Sequence, residues 1–143
     1  MSGPPFASPD AAEEAFYAAF AAADLRGMEV VWAYGDPVAC VHPGGDLLAG
    51  RQAVMQSWMD IFSGARPPTL DHRVVASFTD GNLTVHLVEE RIRPSGRPTE
   101  EATRVLATNT YRREDDGWRI AAHHASLPMI RIRAGEADAP RLH

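Results

Sequence analysis

Lysine is absent from this chain of 143 residues: all fourteen basic residues are arginine. Schiff-base chemistry, pyridoxal-phosphate anchoring and a P-loop each need a lysine amine, so all three are excluded. Cys40 is the single cysteine, which leaves no internal disulfide and no cysteine-built zinc cluster. No apolar run approaches membrane-spanning length, and the opening Met1-Ser2-Gly3-Pro4-Pro5 is not a signal peptide. The expected location is the cytoplasm. A basic surplus is missing too: acids outnumber bases 19 to 14, for a net charge of −5, which argues against nucleic acid or an anionic membrane as partner. What is present is ordinary for a globular domain, with 45% hydrophobic and 23% charged residues, and the length fits one domain.

Organisation follows from punctuation and period. Residues 1–8 read as a flexible N-terminus, 9–128 as the folded unit and 129–143 as a tail that either extends the last strand or wanders. Ser8 before Pro9 starts a helix, since a hydroxyl caps free N–H groups and a proline at the first position lacks an N–H to satisfy. Glu13 and Glu14 sit in its early turns, where the helix dipole favours acids. Phe16 and Phe20 share one buried face. Asp24 caps a second helix over 25–32. A short strand over 38–42 follows, then the turn His42-Pro43-Gly44-Gly45 and Leu47-Leu48. The third helix opens at Gly50, with Val54, Trp58, Ile61 and Phe62 at helical spacing. Beyond Pro67-Pro68 the period switches to two, and strands are expected over 70–79, 83–93, 103–113 and 118–126. Asp80-Gly81, Pro94-Ser95-Gly96 and Asp115-Asp116-Gly117 supply the turns. The order is that of an α+β fold with helices on one face of a curved, mainly antiparallel sheet.

The helix pair, His42-Pro43, the third helix and the closing run from Gly117-Trp118 to His123-His124-Ala125-Ser126 resemble the SnoaL-like branch of the nuclear-transport-factor-2 (NTF2) superfamily. This resemblance implies a cone, a cystatin-like bent sheet around three helices, with a mostly apolar pocket at its wide end and pairing through the outer sheet face. Its ketosteroid-isomerase-like members supply a register. The general-base aspartate falls on His42, the oxyanion-holding acid on Asn109 and the first-helix tyrosine on Phe16, so steroid isomerisation by that mechanism is not expected. The same register implies Trp32, Trp58, Leu87, Glu89 and His124 as pocket lining. Arg112-Arg113, Gly117-Trp118 and the segment His123-His124-Ala125-Ser126 also resemble the hub domain that assembles a calmodulin-dependent kinase.

Read as chemistry, His42 is the candidate general base or acid, with Asp36 a possible orienting partner. Strand parity puts Tyr111 inward beside Asn109. It also puts His124 inward with Trp118 and Ser126, and His123 outward near His86. Adjacent strand residues face opposite ways, so His123 and His124 cannot share an ion, and no metal or cofactor is expected. Cys40 lies two residues before His42, about 6.6 Å away along a regular strand, so it reads as a small buried hydrophobe rather than a nucleophile. One of Glu89 and Glu90 must be inward. Three functions stay open. One is a cofactor-independent acid/base enzyme (isomerase, dehydratase, hydrolase or cyclase type) acting through His42 on a small apolar or carbonyl- or hydroxyl-bearing molecule. The others are a binder without turnover and an association module, with a homodimer expected.

Overall fold

The computed structural model describes residues 6–64, 66–96 and 101–129. Expectations for residues 1–5 and for the tail beyond Met129 lie outside them. Helix α1 (Pro9–Ala22) begins as its sequence predicts: the Ser8 hydroxyl accepts the Ala11 N–H at 3.0 Å. It ends at Ala23, which closes the helix in the left-handed region at φ 52°. Asp24 then caps α2 (Leu25–Val31) by accepting the Gly27 N–H at 3.1 Å. Gly27 is a glycine for a reason of space. A Cβ there would stand 2.8 Å from the Asp24 carboxylate and 3.0 Å from the Ala19 methyl, where α2 crosses α1. Ahead of α1, Phe6 is not loose: its carbonyl accepts the Trp118 N–H at 2.8 Å.

Strands β1 (Ala39–Val41) and β2 (Leu47–Ala49) form a short hairpin before α3 (Arg51–Phe62). Arg51, the first residue of α3, reaches back and donates to the Trp32 and Ala33 carbonyls at 2.8 and 3.1 Å, which secures the chain leaving α2. Four long strands complete the chain: β3 (Thr69–Asp80), β4 (Leu83–Arg93), β5 (Thr103–Glu114) and β6 (Gly117–Ser126). The sheet order is β2-β1-β6-β5-β4-β3. The ladder is antiparallel except where β1 runs parallel to β6. The fold is α+β, three helices on one face of a curved six-stranded sheet.

That covered face holds the core. Phe16, Trp32, Trp58, Tyr111 and Ile120 are sealed from solvent, and Phe16 meets Trp32 and Trp58 edge-on at 6.2 and 5.7 Å between ring centres. Two bulges decide which side chains join them. In β3 the pairing steps from Val74–Val88 to Ala76–Leu87, leaving Val75 extra. In β6 it steps from Tyr111–Ile120 to Thr110–Ala122, leaving Ala121 extra. Each bulge exchanges the inward and outward residues beyond it.

Candidate functional site

The bulge at Ala121 corrects the expected orientation of the two histidines. Before it, Ile120 is buried and Trp118 packs against the core; after it, the buried residues are His123 and Ala125. His123 is therefore inside, and His124, opposite Thr108, is exposed on the outer face. Simple alternation carried on from Trp118 gives the reverse, because it has no means of counting the extra residue. His86, expected outside, is also buried. Leu87 and Glu89 are corrected likewise. Asn109 pairs with His86, so the inward residues of β4 are Thr84, His86, Val88 and Glu90, while Leu87 and Glu89 face outward beside Thr108 and Leu106. Phe16, Trp32, Trp58, Asn109 and Tyr111 do come together inside.

Inside, the polar groups form two connected sets. Glu13 on α1 accepts the Tyr111 hydroxyl at 2.9 Å and meets His86 Nδ1 at 2.7 Å, so this early-turn acid answers the sheet rather than the helix dipole. In the second set, Asn109 Nδ2 donates to the Tyr17 hydroxyl at 2.9 Å, and that hydroxyl donates to Glu90 Oε2 at 2.7 Å. The other side of the amide, Oδ1, can only accept, so His123 Nδ1 at 2.6 Å must carry the proton. Donation thus runs one way, His123 to Asn109 to Tyr17 to Glu90. The imidazole is held as one tautomer, with its lone pair on Nε2.

Burial sets the charges. It raises the Glu90 carboxyl to about 7, with the Tyr17 hydrogen bond opposing and nearby Glu13 adding to the rise. It lowers His123 to about 3, assisted by His42 and His124, so this ring is neutral in ordinary buffers. The Tyr17 and Tyr111 hydroxyls are raised, first by burial and then by neighbouring carboxylates.

His42 lies at the rim of the same interior, half-buried, its ring edge-on to Trp58 at 4.8 Å and 6.4 Å from the His123 ring. The imidazole at 42 and the amide at 109 therefore share one side of the sheet, linked through His123. The partner of His42 is not Asp36. Its Nε2 meets Ser57 Oγ at 2.9 Å, and Ser57 donates its own proton to the Val54 carbonyl at 2.6 Å, so Nε2 is the donor and Nδ1 the lone pair. Burial lowers the pKa of His42. Because β1 ends at Val41, the His42 ring folds back and brings Nε2 within 3.6 Å of Cys40 Sγ, closer than a regular strand allows. The thiol is inert all the same: burial first, then the Glu90 charge, pushes it up to about 12. Sequence reasoning missed Glu13, Tyr17 and Ser57. Tyr17 and Glu90 lie 73 residues apart, with no local signal joining them.

The outer face is a different surface. A groove of about 520 Å³ runs over β3 to β6, lined by Val75, Leu87, Leu106 and Thr108 with Arg73, Glu89, Arg104 and His124 at its border. Around it Val75, Phe78, Leu87 and Leu106 are 60, 58, 39 and 38% exposed. Glu89 accepts from Arg104 Nε at 2.7 Å and Arg91 Nε at 3.2 Å, with Arg73 at 3.8 Å. The Arg104 bond, with help from Arg91 and against its partial burial, holds the Glu89 carboxyl below its ordinary value.

Comparison with known proteins agrees with this architecture. A protein from Thiobacillus denitrificans, provisionally described as a calcium/calmodulin-dependent protein kinase type II association domain, is 43% identical. The match covers 88% of this chain and 99% of that one, with a TM-score of 0.83. A provisionally described dehydratase of the NTF2-like family from Streptomyces avermitilis is 28% identical over 83% of this chain and 93% of its own, with a TM-score of 0.74. Among curated proteins, the F-box protein SKIP8 of Arabidopsis thaliana is 24% identical over 106 residues, 74% of this chain; the chain spans less than half (43%) of that relative's length. Three helices against a bent six-stranded sheet, and a match to the SnoaL-like domain over residues 10–130, place this chain in the SnoaL-like domain family, among NTF2-like, cystatin-like and ketosteroid-isomerase-like folds.

Proposed function

We propose that this SnoaL-like domain is a self-association module, a homodimer or a larger ring, held together through the outer face of β3 to β6. The observation carrying this reading is the exposed apolar surface of Val75, Phe78, Leu87 and Leu106 around the groove, bordered by arginines and a carboxylate. Isolated exposed leucines are ordinary, whereas a contiguous patch with a polar rim marks a contact surface. Burying each such side chain contributes ~1.5–3 kcal/mol, and a stable interface needs about 800 Å² from each partner. The Thiobacillus relative, described as an association domain and matched over 99% of its length, supports the same reading.

Acid/base turnover at His42 has less support. The ring has Ser57 and Cys40 as partners rather than a carboxylate, and Trp58 packs edge-on against it. The domain is read as a cytoplasmic one, and none of the helices among the described residues is long and apolar enough to cross a membrane.

Sedimentation velocity tests the association. The chain is expected to run as a discrete oligomer at micromolar concentration, and Leu87→Glu with Leu106→Glu as a folded monomer with an unchanged circular dichroism spectrum. A wild-type monomer throughout that range, or an oligomer unaffected by the double substitution, overturns the reading.

A further inference from the structure

The outer face of the sheet is unevenly charged, and one strand carries the imbalance from end to end. Arg73 and Val75 of β3 line the outer groove together with Leu87. Further along the same strand, Phe78 and Asp80 sit opposite Val85 and Leu83, which share the face of Leu87. Arg73, Val75, Phe78 and Asp80 are all exposed. The strip therefore reads cation, apolar, apolar, anion, over about 20 Å by strand rise.

Neighbouring strands sharpen both ends. Arg91, Arg93 and Arg104 occupy outward positions beside Arg73, against the carboxylates of Asp71 and Glu89. Glu89 is already held by Arg91 and Arg104, with Arg73 at 3.8 Å, so this end keeps a surplus of positive charge. At the opposite end Arg112 is engaged by the Gly35 and Pro37 carbonyls and by Glu114, and Arg119 by Asp116. Asp80 is left to set the sign there.

Two copies meeting face to face about a two-fold axis can align their strands in two simple ways. With the axis along the strands, each Arg73 lies over the partner's Arg73, and the two arginine-rich ends are forced together. With the axis across the strands, β3 still lies over β3 but runs the other way. Arg73 then meets the partner's Asp80, and Val75 meets the partner's Phe78. Sheets packed face to face stay within about 30° of alignment, so the match holds along one strand. Like charges brought together across an interface are costly, which selects the second arrangement.

We infer that the copies pair with their β3 strands antiparallel, Arg73 of each beside the partner's Asp80, and that these two charges fix the orientation. The inference rests on self-association through the outer face and adds to it a register and its specificity-determining residues.

Arg73→Asp and Asp80→Arg each turn both contacts of a pair into like charges. Sedimentation velocity in low-salt buffer is expected to show each variant associating about tenfold more weakly than the wild type. An equal mixture of the two variants, and the chain carrying both changes, are expected to associate as the wild type does, because every contact is again between opposite signs. Asp80→Asn keeps the shape of the turn residue, drops its charge and is expected to fall between. The wild-type chain alone gives a second reading, which survives a variant that fails to fold. Opposed charges at the ends make association weaken as sodium chloride is raised, whereas like charges make it strengthen. Single substitutions that leave the oligomer as tight as the wild type, a combined variant no tighter than the single ones, or association that strengthens with salt overturn this register and leave self-association standing. A wild-type monomer overturns both.

Discussion

At the scale of single residues, Glu90 and His123 end one hydrogen-bonded chain and pull stability in opposite directions with pH. Glu90 titrates near 7 in the folded protein against an ordinary value of 4.5. Between those values the folded state holds a proton that the unfolded chain has released, so stability falls as pH rises through the window. His123 titrates near 3 against an ordinary 6.5. There the unfolded chain takes up the proton first, and stability falls as pH drops through that range. The two oppose each other from about pH 4.5 to 6.5, and a substitution separates them. Glu90→Gln still offers Tyr17 an acceptor and cannot ionise. Urea unfolding at a series of pH values is expected to show the variant gaining on the wild type by on the order of 1–3 kcal/mol as pH rises from 4.5 to 8. Parallel pH profiles would show that Glu90 does not titrate in this window.

At the scale of elements, most of the architecture was legible, because caps, turn residues and the change of period are local signals. Ser8-Pro9, Asp24, Asp80-Gly81 and Asp115-Asp116-Gly117 all mark real boundaries. The inner site was half legible. Asn109, Tyr111, Trp32, Trp58 and Phe16 point where parity, helical period or family register puts them. His124, Leu87 and Glu89 do not, since an extra Ala121 and a one-residue offset along β4 are fixed by pairing between strands and leave no mark in either strand alone. Glu13 escaped notice because an acid in the first turns of a helix already has a sufficient local explanation. That helix positions Glu13, Phe16 and Tyr17 together, which ties its cap to the interior. Ser8→Ala is expected to lower stability by ~1 kcal/mol, read as a reduced melting temperature. An unchanged melting temperature would mean that packing alone fixes the start of α1.

At the scale of the whole molecule, the two faces of the sheet have different occupations: the inner one binds helices and spends its polar groups there, while the outer one carries unpartnered leucine, valine and phenylalanine. The sheet is also uneven along its width. β3 to β6 pair over ten residues or so, whereas β1 joins β6 through the three pairs Ala39–Ala122, Cys40–His123 and Val41–His124, and β2 and α3 follow from it. A short ladder opens at lower free energy than a long one. Backbone amides within residues 39–62 should accordingly exchange with deuterium before those of β4 and β5, which mass spectrometry resolves peptide by peptide; uniform protection would mean that the narrow seam is no weaker than the rest. Each such opening would lift the indole of Trp58 off Phe16 and wet one of the two buried indole N–H groups, those of Trp32 and Trp58, that find no acceptor among the described residues.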